Sequence, residues 1–211
     1  MKKPNPYADA PRLPDGVQIC LDALLPGPGP CEIEIGPGRG AFLLARAASS
    51  PDRRLLGLEI RRKWASTVDE RLRRQGCGER SRVLCSDARI DLPRLGPDGA
   101  LAAVFLHFPD PWWKKRHQKR QVMSPALLAH ICRLLADGGE LFVQTDVAER
   151  AERYEALLGA CPDLAPAGDK PGSARLAASP YGARSNRERR CVEEGVPIYR
   201  LRFRRRPQAG S

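Results

Sequence analysis

Residues 32–40 read Glu-Ile-Glu-Ile-Gly-Pro-Gly-Arg-Gly, and this short stretch decides the fold class. Residues 32–35 alternate between acidic and apolar side chains, which predicts a β-strand. The glycines that follow permit a tight turn, and the Ala- and Leu-rich residues 41–48 then predict a helix. A strand, a Gly-rich turn and a helix in this order are typical of the first unit of a doubly wound α/β sheet.

Predicted strands and helices alternate along the rest of the chain. This alternation predicts a single-domain, Rossmann-like α/β fold with a mostly parallel, doubly wound sheet. We expect a Pro-rich N-terminal arm (1–29) with a short helix at 17–25, a domain that spans 30–211, and a long loop at 162–187. The other expected strands are 55–60, 82–85, 101–107, 140–145 and 196–204, and the other expected helices are 61–74, 125–135 and 147–158.

Chemically active side chains cluster at the ends of the predicted strands. Open α/β sheets bind their ligands beyond the carboxyl ends of the strands. The Gly-rich turn and four acids fall at or just after such ends, namely Glu59, Asp87, Asp110 and Asp146. Because parallel strands share one carboxyl edge, the sequence predicts an active site at that edge.

The Gly-rich turn and the acid that follows it indicate a nucleoside cofactor. Gly36 and Gly38 let the backbone approach a ligand closely. Glu59 stands where a carboxylate can accept hydrogen bonds from both ribose hydroxyls of an adenosine. The same glycines, followed by Ala41, also match the fingerprint of nicotinamide-dependent oxidoreductases, so the glycine pattern alone leaves two cofactors open.

Two further acids favour a methyl donor over a dinucleotide. Glu34 lies just before the turn, where a carboxylate suits a sulfonium or an α-amino group and repels a pyrophosphate. Asp87, after the third predicted strand, suits the exocyclic amine of adenine. We therefore expect S-adenosylmethionine as the cofactor, and a nicotinamide-dependent oxidoreductase is the alternative.

Residues 108–120 read Phe-Pro-Asp-Pro-Trp-Trp-Lys-Lys-Arg-His-Gln-Lys-Arg and follow the fourth predicted strand directly. The prolines stiffen the turn that carries Asp110, a tryptophan can stack on a base, and the Lys and Arg side chains form a phosphate-binding patch. The alternative is that the tryptophans anchor the loop and that the basic run is a solvated face. The chain carries 36 Lys and Arg against 25 acids, a net charge of +11, which favours a polyanionic partner.

The composition argues against several other classes of protein. No apolar run of about 18 residues is present, and the basic N-terminus has no apolar segment behind it, so neither a membrane span nor a secretory signal is expected. The seven cysteines are scattered, with no Cys-x-x-Cys pair and no zinc-ligand spacing. We expect buried, reduced thiols, no metal and a cytoplasmic location.

Residues 109–120, Pro-Asp-Pro-Trp-x-Lys-x-Arg-His-x-Lys-Arg, resemble the signature of the bacterial tRNA (guanine-N7)-methyltransferases. Thr145-Asp146 and residues 185–189 resemble the same family, and the resemblance covers about residues 30–205 in order. It implies a class I methyltransferase fold with an antiparallel C-terminal strand. It also implies methyl transfer from S-adenosylmethionine to N7 of a guanine in tRNA, guanine 46 of the variable loop. The sequence leaves both a monomer and a homodimer open.

The resemblance further implies roles for individual side chains. Asp110 matches the position of the catalytic residue. The expected cofactor-binding residues are Glu34, Gly36, Gly38, Glu59 and Asp87, and the expected substrate-binding residues are Lys114, Arg116, Asp146, Ser185 and Glu188.

This chain departs from the family pattern at two positions. Ser185 replaces the usual Thr, which keeps the hydroxyl, and Gln121 stands where an Arg is common. Besides the oxidoreductase, two alternatives stay open. They are a methyltransferase that acts on another RNA or a small molecule, and a non-catalytic RNA-binding protein on the same fold.

Overall fold

Ten strands lie in residues 5–109 and 123–208, the part of the chain that the computed structural model describes. The first five are β1 (Ile19–Cys20), β2 (Cys31–Ile35), β3 (Arg54–Glu59), β4 (Ser81–Cys85) and β5 (Leu95–Gly96). The others are β6 (Leu101–His107), β7 (Leu135–Thr145), β8 (Leu164–Pro166), β9 (Arg175–Leu176) and β10 (Tyr199–Arg205).

Seven helices in the same residues connect and cover these strands. They are α1 (Leu21–Leu24), α2 (Ala41–Ser49), α3 (Arg62–Arg74), α4 (Ala88–Asp91), α5 (Pro125–Leu134), α6 (Ala148–Gly159) and α7 (Asn186–Glu193). Local sequence starts α5 as expected, because the Ser124 hydroxyl accepts a hydrogen bond of 3.2 Å from the Leu127 N–H and Pro125 occupies the first turn. None of the described helices is long and apolar enough to span a membrane.

The central sheet has the strand order β4-β3-β2-β6-β7-β10-β8, with β9 also paired to β10. Strands β4, β3, β2, β6 and β7 are parallel to one another, and β10 runs antiparallel between β7 and β8. This topology confirms the predicted α/β fold with a mostly parallel sheet and an antiparallel C-terminal strand. It also places the carboxyl ends of five strands on one edge.

Helices cover both faces of the sheet. On one face, α5, α6 and the N-terminal arm pack into the largest apolar cluster, where Leu21 and Leu25 of the arm are fully buried. Each of these leucines contributes about 1.5–3 kcal/mol, so the arm is fixed to the domain. On the other face, which we call the α2 face, α2 and α3 pack over β3 and β4, and Phe42 joins a second cluster with Phe105 and Phe142.

Two local predictions were wrong in part. The helix expected at 17–25 is confined to Leu21–Leu24, because Ile19 and Cys20 pair with β5 instead. The loop expected at 162–187 contains β8 and β9, and it ends at α7, which was not predicted. Strands β8 and β9 depend on pairing with β10, which lies far along the chain, and that pairing leaves no local sequence signal.

Candidate active site

The carboxyl edge of the parallel strands gathers most of the side chains that the sequence identifies. β2 leads into the Gly-rich turn, β3 ends at Glu59, β4 is followed by Asp87, and β7 is followed by Asp146. β6 ends at His107 on the same edge, shortly before Asp110 in the sequence. Glu59, Asp87 and Asp146 therefore lie at the edge where open α/β sheets bind their ligands.

The Gly-rich turn is built on left-handed backbone. Gly36, Gly38 and Gly40 have φ angles of 72°, 57° and 73°, a region that residues with a Cβ rarely adopt. A Cβ on Gly40 would lie 2.3 Å from Cγ1 of Val68, so this glycine lets α2 pack against α3. A Cβ on Gly36 would meet no atom of the described residues within 4 Å, so the backbone there is open to a ligand.

Glu59, at the end of β3, connects this strand to the Gly-rich turn by a hydrogen bond. Its side chain is 2% exposed, and Oε2 accepts a hydrogen bond of 2.8 Å from the backbone N–H of Gly38. Oε1 accepts hydrogen bonds from the backbone N–H (2.9 Å) and the Nε–H (3.1 Å) of Arg61. The Arg61 side chain is 64% exposed, so solvent screens its ion pair with Glu59. A ribose hydroxyl can therefore replace this guanidinium at Oε1 with little loss of free energy.

Glu34 is a buried carboxylate with one unpaired oxygen. Its side chain is 3% exposed, and Oε1 lies 2.8 Å from Nδ1 of His107. Within the described residues, Oε2 has no hydrogen-bond partner. We assign the hydrogen of this pair to Nδ1 of His107, which leaves Oε1 of Glu34 as the acceptor. A buried carboxylate oxygen without a donor costs free energy, and Oε2 is therefore a place where a hydrogen-bond donor of a ligand fits.

His107 is a site residue that the sequence analysis missed. Its side chain is 3% exposed, and its ring centroid lies 4.2 Å from that of Phe42 and 5.8 Å from that of Phe142. The available signal was a histidine at the end of a strand, next to the Phe-Pro-Asp motif. Its partner Glu34 lies 73 residues away in sequence, and residue spacing cannot reveal such a pairing.

Asp87 begins α4 and forms an ion pair with a nearby arginine. Its Oδ1 accepts a hydrogen bond of 3.1 Å from the backbone N–H of Arg89, and Nη2 of Arg89 donates to Oδ2 at 2.6 Å. The hydrogen bonds from the Arg89 side chain lower the pKa of Asp87. The Asp87 carboxylate is therefore ionised at neutral pH and can accept a hydrogen bond from an amine.

Two exposed isoleucines accompany these acids and were also missed. Ile60 directly follows Glu59 and is 61% exposed, and Ile90 lies on α4 shortly after Asp87 and is 66% exposed. Large apolar side chains at exposed positions beside converging polar groups are typical of a ligand site. They suit the flat, apolar faces of an adenine ring.

The other half of the edge carries the expected substrate residues. The carboxylate of Asp146 accepts a hydrogen bond of 2.9 Å from Nε of Arg187, and Nη2 of the same arginine contacts the same oxygen. Ser185 is the N-cap of α7, and its hydroxyl accepts a hydrogen bond of 3.2 Å from the Glu188 N–H. The structure thus brings Asp146, Ser185 and Glu188 close to one another.

Glu188 is held inside the protein rather than at its surface. Its side chain is 2% exposed, Oε2 accepts from Nε2 of Gln144 at 3.1 Å, and Oε1 accepts from Nη2 of Arg200 at 2.9 Å. Both carboxylate oxygens are therefore already engaged by the protein. Its expected contact with substrate stays a prediction.

A family model described as “Putative methyltransferase” matches residues 28–201. The tRNA (guanine-N(7)-)-methyltransferase of Myxococcus xanthus is 37% identical over 83% of this chain and 83% of its own length. The enzyme with the same description from Anaeromyxobacter dehalogenans is 41% identical over 83% of this chain and 85% of its own length. The chain belongs to the tRNA (guanine-N7)-methyltransferase family.

The fold of this tRNA (guanine-N7)-methyltransferase family member is also found in solved structures. The crystal structure of the 16S rRNA methyltransferase KamB superposes with a TM-score of 0.57 at 16% identity, over 88% of this chain and 92% of that chain. At this identity the likeness shows the fold alone, a class I methyltransferase fold as expected. Family membership confirms the prediction of a methyltransferase and removes the nicotinamide-dependent oxidoreductase as an alternative.

Asp110, Lys114, Arg116 and Gln121 lie outside the described residues, so their expected roles in this family member stay predictions. The described chain reaches Asp110 through Phe108, whose φ of 50° is left-handed. This conformation costs a residue such as phenylalanine about 1–3 kcal/mol. Strain of this kind is concentrated at functional sites, and here it lies where β6 leads into the family signature.

One group of potential metal donors lies in the described residues, away from the carboxyl edge. Cys132, near the end of α5, and Cys161 have their sulfur atoms 3.7 Å apart, with Asp163 close by. Asp163 is already paired with Arg205 at 2.6 Å. All seven cysteines are free, but Cys20 on β1 is exposed, so the expectation of buried thiols was wrong for that residue.

Proposed function

We propose that this protein transfers a methyl group from S-adenosylmethionine to N7 of a guanine in tRNA, and that this is guanine 46 of the variable loop. The observation that carries the proposal is the buried carboxylate of Glu34, which has one oxygen beside the Gly-rich turn that no described residue pairs. Membership of the tRNA (guanine-N7)-methyltransferase family and the net charge of +11 support tRNA as the substrate.

The residues of the cofactor half fit S-adenosylmethionine. The left-handed backbone at Gly36 and Gly38 allows close approach, Glu59 offers Oε1 to the ribose, and Asp87 offers an ionised carboxylate to the adenine amine. The unpaired oxygen of Glu34 suits a positively charged donor and repels a pyrophosphate. When bound, S-adenosylmethionine supplies an electrophilic methyl group on a sulfonium.

Methylation at guanine N7 requires little acid–base chemistry from the protein. N7 has a free lone pair and carries no proton, so the nucleophile needs no general base. The main tasks of the chain are to align the two reactants and to stabilise the positive charge that develops on the purine. We assign Asp110 to stabilisation of this charge and Asp146 to selection of guanine through its N1–H and N2 amine. Glu188 can join that selection only when Gln144 or Arg200 releases one of its oxygens.

The basic residues of the 108–120 segment provide the second half of substrate binding. Lys114 and Arg116 neutralise tRNA phosphates, and the released counterions favour association. A tRNA substrate also implies a cytoplasmic protein. Whether it acts as a monomer or a homodimer follows from its mass in solution with and without tRNA.

The direct experiment uses the full chain, S-adenosylmethionine with a labelled methyl group, and an unmodified tRNA transcript. We expect label in the tRNA, located at N7 of guanine 46, and no label in a transcript with adenine at that position. Asp110→Ala should abolish transfer and keep affinity for S-adenosylhomocysteine, whereas Glu59→Ala should weaken that affinity. Label in another RNA only, or near-normal turnover of Asp110→Ala, would contradict the proposal.

A further inference from the structure

A row of buried polar side chains crosses the α2 face beneath the carboxyl edge. We call it the polar belt, and it consists of Glu34 on β2, His107 on β6, Gln144 on β7 and Arg200 on β10. Gln144 lies in register with His107 on one side and with Arg200 on the other. Glu188 joins Gln144 and Arg200 by hydrogen bonds of 3.1 Å and 2.9 Å. The belt therefore extends from the cofactor half of the site to the substrate half.

The carboxylates at the two ends of the polar belt, Glu34 and Glu188, differ in how completely they are paired, and within the described residues Oε1 of Gln144 and Nε of Arg200 between them also lack a partner. At the substrate end, both oxygens of Glu188 are occupied. At the cofactor end, Glu34 has a single partner in the described residues, Nδ1 of His107 at 2.8 Å. Oε2 of Glu34 is thus a buried acceptor at the start of the Gly-rich turn for which the described residues supply no donor.

The imidazole of His107 is held in one place by its surroundings. Phe42 lies 4.2 Å from it, Phe105 5.9 Å and Phe142 5.8 Å, measured between ring centroids. Aromatic rings on three sides restrict rotation of the imidazole, and in this orientation Nδ1 faces Oε1 of Glu34. The carboxylate of Glu34 is consequently fixed in orientation before any ligand arrives.

We propose that His107 is a positioning residue for the aminoacyl end of the methyl donor: it occupies Oε1 of Glu34 and leaves Oε2 for the donor's α-ammonium group. A buried, oriented carboxylate is a strong partner for an ammonium group, because the hydrogen bond is charge-assisted and needs no reorganisation. Without His107 the carboxylate is free to turn, and part of the binding free energy is lost in ordering it. This inference rests on the proposed function.

The test compares two ligands that differ only at the aminoacyl end. S-Adenosylhomocysteine carries the α-ammonium group, and 5′-methylthioadenosine has the same nucleoside without it. We expect His107→Gln to weaken S-adenosylhomocysteine about tenfold, the value of one charged hydrogen bond, and to leave 5′-methylthioadenosine within about twofold of wild type. Titration calorimetry on the full chain measures both affinities.

His107→Asn is the rescue variant. The amide of Asn lies where Nδ1 of histidine lies, whereas the longer Gln places its amide near the position of Nε2. His107→Asn should therefore keep most of the affinity for S-adenosylhomocysteine. Leu106→Val is the matched control, because Leu106 is buried on the same strand but faces the opposite side of the sheet. In this variant the ratio of the affinities for S-adenosylhomocysteine and 5′-methylthioadenosine should equal that of wild type.

The outcomes separate the inference from the function. Equal weakening of both ligands by His107→Gln, or no rescue by His107→Asn, would assign His107 to packing and overturn the inference. Unchanged affinity of His107→Gln for S-adenosylhomocysteine would overturn it as well. If wild type bound neither ligand, the proposed function itself would fall.

Discussion

Glu32 and Glu34 lie on the same strand and face the same side of the sheet, yet they differ in how fully the protein pairs their carboxylate oxygens. Both side chains are almost fully buried, at 1% and 3% exposure. Glu32 is saturated, with Arg46 on both oxygens at 2.8 Å and 3.0 Å and Arg53 on Oε1 at 2.9 Å. Glu34 has one histidine partner, and its other oxygen has no partner in the part of the chain that the structure describes. A buried carboxylate that the protein satisfies itself holds the fold together, and one that it leaves incomplete is available to a ligand.

The largest expected effect is on stability, from Glu32→Gln. This change leaves the guanidinium of Arg46, only 13% exposed, without its carboxylate, and removing one partner of a buried ion pair costs about 3 kcal/mol. Glu34→Gln removes no arginine partner and should cost less than about 1 kcal/mol. Unfolding in denaturant measures both changes in free energy. Equal losses for the two variants would break the comparison.

The second-largest expected effect is on ligand affinity, and here Glu34→Gln rather than Glu32→Gln should cause the greater loss. Glu34→Gln removes the negative charge at the free oxygen and should weaken S-adenosylhomocysteine about 10- to 100-fold, the range for a hydrogen bond to a charged group. Glu32→Gln, measured below its unfolding transition, should bind as wild type does. Titration calorimetry on the two variants measures their affinities for S-adenosylhomocysteine. A loss of affinity in Glu32→Gln would show that the two glutamates do not have separate functions.

The smallest expected effect is on stability and comes from Ser185, in the substrate half of the site. This residue extends the comparison from the two glutamates to a neutral hydroxyl. Ser185→Ala removes the acceptor that caps α7 and should lower the free energy of unfolding by about 1 kcal/mol. Ser185→Thr, the residue usual in the family, keeps the hydroxyl and should leave stability within about 0.3 kcal/mol of wild type. A full loss of stability in Ser185→Thr would mean that size rather than the hydrogen bond matters at this position.

The sequence predicts the parts of the site that depend on local order. The Gly-rich turn, Glu59 and Asp87 each follow a strand, and a parallel sheet then brings strand ends together without further information. Alternation in residues 32–35 identified β2 correctly as a strand. It did not reveal that β2 is buried on both faces. Alternation distinguishes the two faces of a strand but does not show which other elements cover each face.

Side-chain pairings between distant strands were beyond sequence reasoning. The contact of Glu34 with His107 depends on the final sheet order, and so does that of Gln144 with Glu188, because Gln144 lies on β7, 44 residues before Glu188. Helix α7 was missed for a different reason. Five of its eight residues are charged, and the apolar pattern that signals a helix is absent. Ser185 and Glu188 nevertheless have the spacing of a capping box and could have predicted its start.

The position of β10 between β7 and β8 has a consequence for the order in which the molecule matures. β8 leaves the ribosome before β10 but cannot dock on the sheet until residues 199–205 have emerged to pair with both neighbours. Arg200, which completes the surroundings of Glu188, arrives in the same step. The surroundings of Glu188 are therefore complete only after β10 has emerged and joined the sheet.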